Sequence, residues 1–158
     1  MKNKSFLRKF SWIFMILLGL SVSFSMSSCG DDDDDDNEGN PKTEIVGSWK
    51  AHKITVEDSF GDNFSGELPL GTGYTVDFNA DGTGKYVEIF EGKVEESNTF
   101  TYTLDGNILT LTEKFSDGDV ETSKAEVKKL THSELVIYEY EEYDGNWEAV
   151  TMYFDRIK

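Results

Sequence analysis

The sequence is poor in the residue types that build disulfide frameworks and zinc sites. Its 158 residues include one cysteine, two histidines and two prolines. A single cysteine cannot form an intramolecular disulfide, and His52 and His132 do not lie in a His-x-His or His-Glu-x-x-His spacing. We therefore expect no disulfide, no metal site and no cofactor.

Basic residues are scarce as well. The chain has 15 lysines and arginines against 31 aspartates and glutamates, which gives a formal net charge of −16. A surface of this charge repels nucleic acid and anionic lipid headgroups. The composition therefore argues against nucleic acid as a partner.

The one long apolar run, Phe10–Leu20, is too short to span a bilayer. A basic segment without acidic residues precedes it, as in a secretory signal peptide. Small residues then lead to Cys29 in a pattern that resembles a bacterial lipobox, with Met26 where that motif more often has leucine. The resemblance implies cleavage before Cys29 and acylation of Cys29, for which palmitate is a typical chain. The alternative is an ordinary secreted protein with a buried thiol.

Six aspartates, Asp31–Asp36, follow this cysteine. Cleavage would remove four of the 15 basic residues and none of the 31 acidic ones, so the net charge would fall from −16 to −20. A polar segment of this kind should stay solvated and extended. It is either a spacer or, because it resembles the surface-export signal of some Gram-negative lipoproteins, a signal that places the protein on the outside of the outer membrane.

We predict three parts: a signal peptide (1–28), an acylated cysteine with a flexible acidic tether (29–43) and one all-β domain (44–158). In the third part, apolar and polar residues alternate in runs that are separated by Asp-Gly turns. Eight short antiparallel strands predict an up-and-down β-barrel, and we expect a monomer. The predicted strands are Trp49–Val56, Tyr74–Phe78, Gly84–Phe90, Asn98–Leu104, Ile108–Phe115, Val120–Leu130, Leu135–Tyr143 and Trp147–Arg156.

The alternation also predicts which side chains face the barrel interior. Threonines occupy the intervening positions and should face water. On the last strand, either Val150, Met152 and Phe154 or the alternate set could point inward. The residues that we expect to contact a ligand are Tyr74, Val76, Phe78, Phe100, Tyr102, Leu109 and Leu111.

Three segments give the domain a family resemblance. They are Ile45–Lys50 (IVGSWK), Phe78–Gly84 (FNADGTG) and Tyr102–Leu111 (YTLDGNILTL). In this order they resemble the lipocalin-like domain of small bacterial lipoproteins, over nearly all of residues 44–158. The resemblance implies that Trp49 closes one barrel end and packs against Arg156, so that both are structural. The second and third motifs of the larger vertebrate lipocalins are missing, so retinoid-type ligands are not implied.

One stretch matches a calcium-loop pattern. Asp77–Gly82 followed by Glu88 fits D-x-[DN]-x-[DN]-G-x5-E. An EF-hand needs flanking helices, whereas both flanks here have the alternation of strands. We interpret the stretch as a hairpin turn, and calcium binding is the alternative.

Two stretches could recognise a partner. The long connection Glu57–Gly73 carries apolar residues that could form a lid over the barrel or plug it. The second is an aromatic and acidic tip around Asp144, with Glu139, Glu141 and Glu142 beside it; we interpret these carboxylates as the wet face of a strand. The aromatic residues of the tip are Tyr138, Tyr140, Tyr143 and Trp147.

The sequence thus supports two hypotheses of function. In the first, a non-enzymatic, lipid-anchored protein of the cell envelope holds a small apolar or amphipathic molecule in the barrel. In the second, the barrel is filled by side chains, and the tip or the long connection binds protein or glycan. An enzyme would need a cleft with two converging titratable groups, which we do not expect.

Overall fold

The computed structural model describes residues 41–61, 63–115 and 118–157. The predicted signal peptide, Cys29 and most of the predicted tether lie outside the described residues. Among the described residues, no helix is long and apolar enough to cross a membrane. The elements are α1 (Pro41–Glu44), β1 (Gly47–Asp58), β2 (Phe64–Glu67), β3 (Gly73–Phe78), β4 (Thr83–Phe90), β5 (Lys93–Asp105), β6 (Ile108–Lys114), β7 (Val120–Leu130), β8 (Glu134–Tyr143) and β9 (Asn146–Arg156).

Eight of the strands close into an antiparallel barrel. From β3 to β9 each strand pairs with the next one in the chain, and β1 pairs with both β3 and β9. A bulge at His52 divides β1, so that Gly47–Lys50 pair with β3 and Lys53–Val56 pair with β2. The predicted all-β, eight-stranded up-and-down barrel is confirmed.

Two predicted boundaries are wrong. The connection Glu57–Gly73 contains strand β2, which pairs only with β1. Strand β5 begins at Lys93 instead of Asn98, because Lys93–Ser97 pair with the end of β4 across a bulge. The alternation of apolar residues is lost at both places, and therefore the pattern gave no strand there.

Tight turns set the register of the hairpins. Asp144 and Gly145 both have positive φ angles, 48° and 78°, as a two-residue type I′ turn requires. Gly106 has φ 58° in the turn between β5 and β6. Since these glycines fix how each strand meets the next, they also fix which residues share the inner face.

The largest fully buried side chains lie towards one end of the barrel, and along β1 and β9 the core continues to Val56 and Val150. We call that end the closed end; it holds α1 and the turns β3–β4, β5–β6 and β7–β8. The barrel belongs to one compact unit, Glu38–Lys158, and the buried apolar residues of the described part of the chain lie between Ile45 and Phe154. We therefore expect this unit to fold without the segment before it. The largest fully buried side chains are Trp49, Phe154, Ile45, Leu109 and Leu135.

Candidate functional site

The closed end is sealed by the predicted Trp49–Arg156 pair, which the structure brings together. The Trp49 side chain is 0% exposed, and its indole Nε1 donates a hydrogen bond to the Ile45 carbonyl at 2.8 Å. The guanidinium carbon of Arg156 lies 4.1 Å from the centre of the Trp49 ring. Its nitrogens donate to the carbonyls of Val46, Glu44 and His132. The arginine thus ties the helix, the start of β1 and the β7–β8 turn to one indole face.

The seven predicted ligand-contact residues all lie on the inner face, but they divide into two groups. Within the larger group, Phe78 lies 5.6 Å from Phe100 and 4.9 Å from Tyr102 between ring centres. The Tyr102 hydroxyl donates to the Asn79 carbonyl at 2.8 Å, which holds this ring at the closed end. This packed group comprises Val76, Phe78, Phe100, Tyr102 and Leu109.

Tyr74 and Leu111 lie outside this packed group, and both are partly buried. Tyr74 lies 6.1 Å from Phe154 of β9 between ring centres, across the interior. Protein surrounds this tyrosine, and burial, followed by the nearby Tyr86 and Glu139, raises its pKa well above 10. Part of its surface nevertheless stays accessible. Tyr74 is therefore less completely covered than Val76 and Phe78 on the same strand.

The remaining inner face of the barrel half away from Trp49 is acidic, which sequence reasoning missed. On β4, Gly84 faces the Phe100 ring in the core, so the alternating Tyr86 and Glu88 must also point inward. The same alternation from buried core positions applies on the other strands. We call this half, away from Trp49, the open half, and its inward carboxylates the acidic ring. The acidic ring consists of Asp58, Glu88, Glu96, Glu113, Glu121, Glu139, Glu141 and Glu148.

The run of glutamates near the tip suggested a solvent-exposed outer face, but not all of these glutamates lie on it. Glu139 pairs with Val150 and faces inward, because Val150, Met152 and Phe154 form the buried inner face of β9. Glu142 faces outward. Register counting from the Phe78–Gly84 pair would have found Glu88 opposite Tyr74, since β3 and β4 run without a shift between them.

Hydrogen bonds order one side of the ring. The Tyr86 hydroxyl donates to Glu96 Oε1 at 2.8 Å, and the Asn98 amide donates to the same oxygen at 3.1 Å. The Tyr74 and Tyr86 rings stack at 5.6 Å. Burial, followed by the hydrogen bond to Glu96, raises the pKa of Tyr86, so this hydroxyl remains a donor at neutral pH.

Glu88 is the most deeply buried carboxylate of the ring. It is 8% exposed, and its side chain makes no hydrogen bond or ion pair with any residue that the structure describes. Burial first, and then the charges of Glu96 and Glu95, raise its pKa from 4.5 to about 7. Burial, followed by Asp58 and Glu141, also raises the pKa of Glu148. The interior field therefore disfavours negative charge.

The calcium-loop match is divided between the two faces of the sheet. Asp77 lies on the outer face opposite Lys85, whereas Glu88 lies on the inner face. Asp81 accepts hydrogen bonds from the Thr83 backbone at 2.9 Å and from its hydroxyl at 2.6 Å, and these bonds lower the pKa of Asp81. No group of three or more potential ligands that could hold a metal ion lies within 41–61, 63–115 and 118–157. The geometry is that of a hairpin turn.

The two predicted recognition stretches are only partly assembled. In the long connection, Phe64 of β2 is half-buried, while Phe60 is 67% exposed and Leu70 is fully exposed. At the tip, Tyr140 and Trp147 stack on the outer face at 6.2 Å between ring centres. Tyr143 lies on the same side of β8 as Glu141, two residues after it, whereas Tyr140 lies on the other side. The four aromatic residues therefore do not share one surface.

Comparison with known proteins agrees with this architecture. Residues 45–137 match the sequence model of the family described as "Lipocalin-like domain". The chain belongs to the lipocalin-like domain family. No curated protein matches it.

Solved structures similar to this lipocalin-like barrel include three of low identity. A lipocalin-like protein from Bacteroides uniformis is 13% identical, with 72% of this chain and 99% of that chain covered and a TM-score of 0.48. A protein from Bacteroides eggerthii is 15% identical, with 71% and 98% covered and a TM-score of 0.45. Bovine odorant-binding protein, solved with a selenium-containing odorant, is 15% identical, with 80% and 78% covered and a TM-score of 0.44.

The buried charge of Glu88 should make stability depend on pH. Because the pKa of Glu88 is about 7 in the folded protein and near 4.5 in the unfolded chain, the folded state retains a proton that the unfolded chain has lost between these values. The free energy of unfolding should therefore fall as pH rises from about 4.5 to about 7. Glu88→Gln should remove this part of the slope and stabilise the barrel at pH 8 by about 1–2 kcal/mol, which allows for water in the open half.

Urea unfolding at pH 5, 6, 7 and 8 measures this effect. The matched control is Glu57→Gln, which removes the same charge from an exposed position on the outer face of β1. If both variants reduce the slope equally, the effect comes from net charge and Glu88 has no special role.

Proposed function

We propose that this lipocalin-like protein is a binding protein rather than an enzyme, and that the open half of its barrel holds one small amphipathic molecule. The observation that carries the proposal is the contrast between the two halves of the interior. Trp49, Phe78 and Leu109 are buried at the closed end, whereas Tyr74, Tyr86 and Leu111 keep accessible surface although they point inward. Barrels of eight strands have room for side chains or for one small ligand.

The packed residues of the closed end are part of the scaffold, as Trp49 and Arg156 are. Val76, Phe78, Phe100 and Leu109 fill the closed end, so a ligand would contact Tyr74 and Leu111 rather than the whole predicted set. The ligand's apolar part would lie towards this floor, and its polar part would meet the acidic ring. This arrangement favours an amphipathic molecule over a purely apolar one.

Native mass spectrometry of residues 30–158, expressed in soluble form and purified without detergent, tests the proposal. We expect a small molecule to remain bound to a fraction of the protein and to leave after denaturation and refolding. Tyr74→Ala should reduce the retained fraction, whereas Tyr140→Ala, which removes an outward tyrosine, should not. A barrel that stays empty after exposure to cell extract and to tryptamine, indole-3-propanoate and tryptophol would contradict the proposal.

We further propose that the protein acts at the cell envelope, anchored through lipid on Cys29 and exposed at the cell surface. The support is the lipobox-like run before Cys29 and the aspartates that follow it. Cys29→Ser should abolish incorporation of labelled palmitate and move the protein from the membrane fraction to the soluble fraction. Protease added to intact cells should digest the wild-type barrel; complete protection would argue against surface exposure.

A second candidate function, recognition of protein or glycan at the outer face, has one supporting observation. Tyr140 and Trp147 stack with 50% of Tyr140 exposed, as in surfaces that bind sugar rings. Binding to a glycan array that is lost in Trp147→Ala but kept in Tyr74→Ala would favour this candidate over the interior site.

A further inference from the structure

Carboxylates in the open half stand directly opposite one another. Glu88 pairs with Glu96 across β4 and β5, Glu113 with Glu121 across β6 and β7, and Asp58 with Glu148 across β1 and β9. Like charges at directly opposite positions destabilise a sheet. Here both members of each pair point into the same interior.

Basic residues do not balance this charge inside the barrel. Within the described ranges, the inner face of the open half carries no lysine, arginine or histidine below the rim. Lys93 lies at the exposed β4–β5 turn and pairs there with Phe90. Lys53 lies over the Tyr153 ring, 4.8 Å from its centre, on the outer face. The field inside the open half is therefore set by carboxylates.

Glu88 shows where a positive charge is missing. This side chain is more than nine-tenths buried and points inward, and it has no hydrogen-bond or ion-pair partner among the residues that the structure describes. A buried carboxylate is costly unless an opposite charge or a hydrogen-bond donor accompanies it. Its neighbour Glu96 already accepts bonds from Tyr86 and Asn98, and Glu88 is the most deeply buried of the described carboxylates that have no such partner, so it is the one that gains most from a bound cation.

Aromatic rings stand beside this carboxylate. Tyr74 lies directly opposite Glu88 in the β3–β4 pairing, and its ring stacks on Tyr86. Ring faces attract organic cations, and the attraction is stronger when water is excluded. A carboxylate flanked by two tyrosines is an arrangement that suits a protonated amine with an apolar body.

We infer that the ligand of the open half is an amphipathic organic amine, whose cationic nitrogen is held by Glu88 and whose apolar body lies against Tyr74, Tyr86 and Leu111. The inference rests on the proposed function and names the chemical class of its ligand. A compact divalent ion is a poorer fit, because the described carboxylates are spread around the barrel and form no group that could hold a metal ion.

Three indole compounds of similar size test the charge requirement. Tryptamine is a cation at pH 7.5, indole-3-propanoate is an anion and tryptophol is neutral. Calorimetric titration of residues 30–158 should give the tightest binding for tryptamine, with at least about tenfold weaker binding for the other two. Glu88→Gln should weaken tryptamine binding at least about tenfold, the smallest loss expected for one charge-assisted hydrogen bond, and leave tryptophol binding unchanged. Glu57→Gln, the outer-face control, should bind tryptamine like the wild type.

Proton release provides a second readout. The groups that face Glu88 are Glu96 and Glu95 from β5 and Tyr74 from β3, and together with burial they favour a protonated Glu88 near pH 7. A bound ammonium group would favour the ionised form instead, so tryptamine binding should release protons at pH 7 and tighten as pH rises from 6 to 8. Titrations in two buffers of different ionisation enthalpy measure the released protons, and Glu88→Gln should release fewer.

The outcomes separate this inference from the proposed function. Equal or stronger binding of tryptophol or indole-3-propanoate overturns the amine inference while the barrel remains a binding site. Absence of binding by all three compounds, together with an empty barrel after exposure to extract, overturns both. If Glu88→Gln does not fold, the comparison of the three compounds on the wild-type barrel decides alone: a tenfold preference for tryptamine supports the inference, and a smaller preference overturns it.

Discussion

Trp49→Ala is expected to lower the free energy of unfolding by about 3–5 kcal/mol, the range for truncation of a large buried aromatic residue. Trp49 is fully buried, so its removal leaves a cavity at the closed end. The change also removes the hydrogen bond from the indole nitrogen to the Ile45 carbonyl and the ring beneath Arg156. Three kinds of contact are lost together, and surrounding side chains can refill the space only in part.

Urea unfolding, monitored by far-ultraviolet circular dichroism, measures this loss in the free energy of unfolding. Trp147→Ala is the matched control, because Trp147 is partly exposed and its main ring partner is Tyr140 at the rim. The control should cost about 1 kcal/mol, as expected for one surface aromatic pair. A similar loss in both variants would mean that Trp49 does not close the barrel as its position indicates.

Gly84→Ala is expected to destabilise the barrel by about 3 kcal/mol, the upper part of the usual range for overpacking. An added Cβ at Gly84 would lie 2.3 Å from two Phe100 ring atoms and 2.6 Å from the Asp77 carbonyl oxygen. The ring cannot move freely, because it packs on Phe78 at 5.6 Å. The carbonyl is fixed by the sheet, so the strand itself would have to shift.

Gly73→Ala is the matched control for this change. Gly73 is also buried and lies on the neighbouring strand β3, but an added Cβ there would meet only Ile89 side-chain atoms at 3.8 and 3.9 Å. It should fold with a stability within about 1 kcal/mol of the wild type. Thermal unfolding of both variants separates a steric effect from a general preference for glycine in strands; equal losses would contradict the clash.

Much of the barrel was predictable because its turns are local. Asp144–Gly145 and Gly106 adopt positive φ angles that these residue types favour, so the hairpins could be placed without knowledge of the fold. The Trp49–Arg156 pair could also be placed, from the family resemblance. Strand β2 could not, because its four residues owe their conformation to pairing with Lys53–Val56 rather than to their own pattern.

The candidate site was harder to predict because alternation does not say which face is inside. On β4, Val87 and Ile89 are apolar and face outward, whereas Tyr86 and Glu88 face inward. An apolar face pointing to water and a charged face pointing inward reverse the usual preference, so the sequence carried no signal that Glu88 faces the interior.

The sequence by itself predicted the closed antiparallel barrel and, through the family resemblance, the position of its sealed end; the envelope address stays a prediction. The barrel was predictable because its hairpin turns depend on residues close together in the chain, whose conformational preferences act locally. Only the tertiary structure decided that Asp58, Glu88 and Glu148 from three strands face one interior, because that follows from the register of β3–β4, β4–β5 and β1–β9 pairing and from closure of the sheet. The physical reason is that a side chain's charge matters through its neighbours in space, and the barrel brings these carboxylates together from positions far apart in sequence.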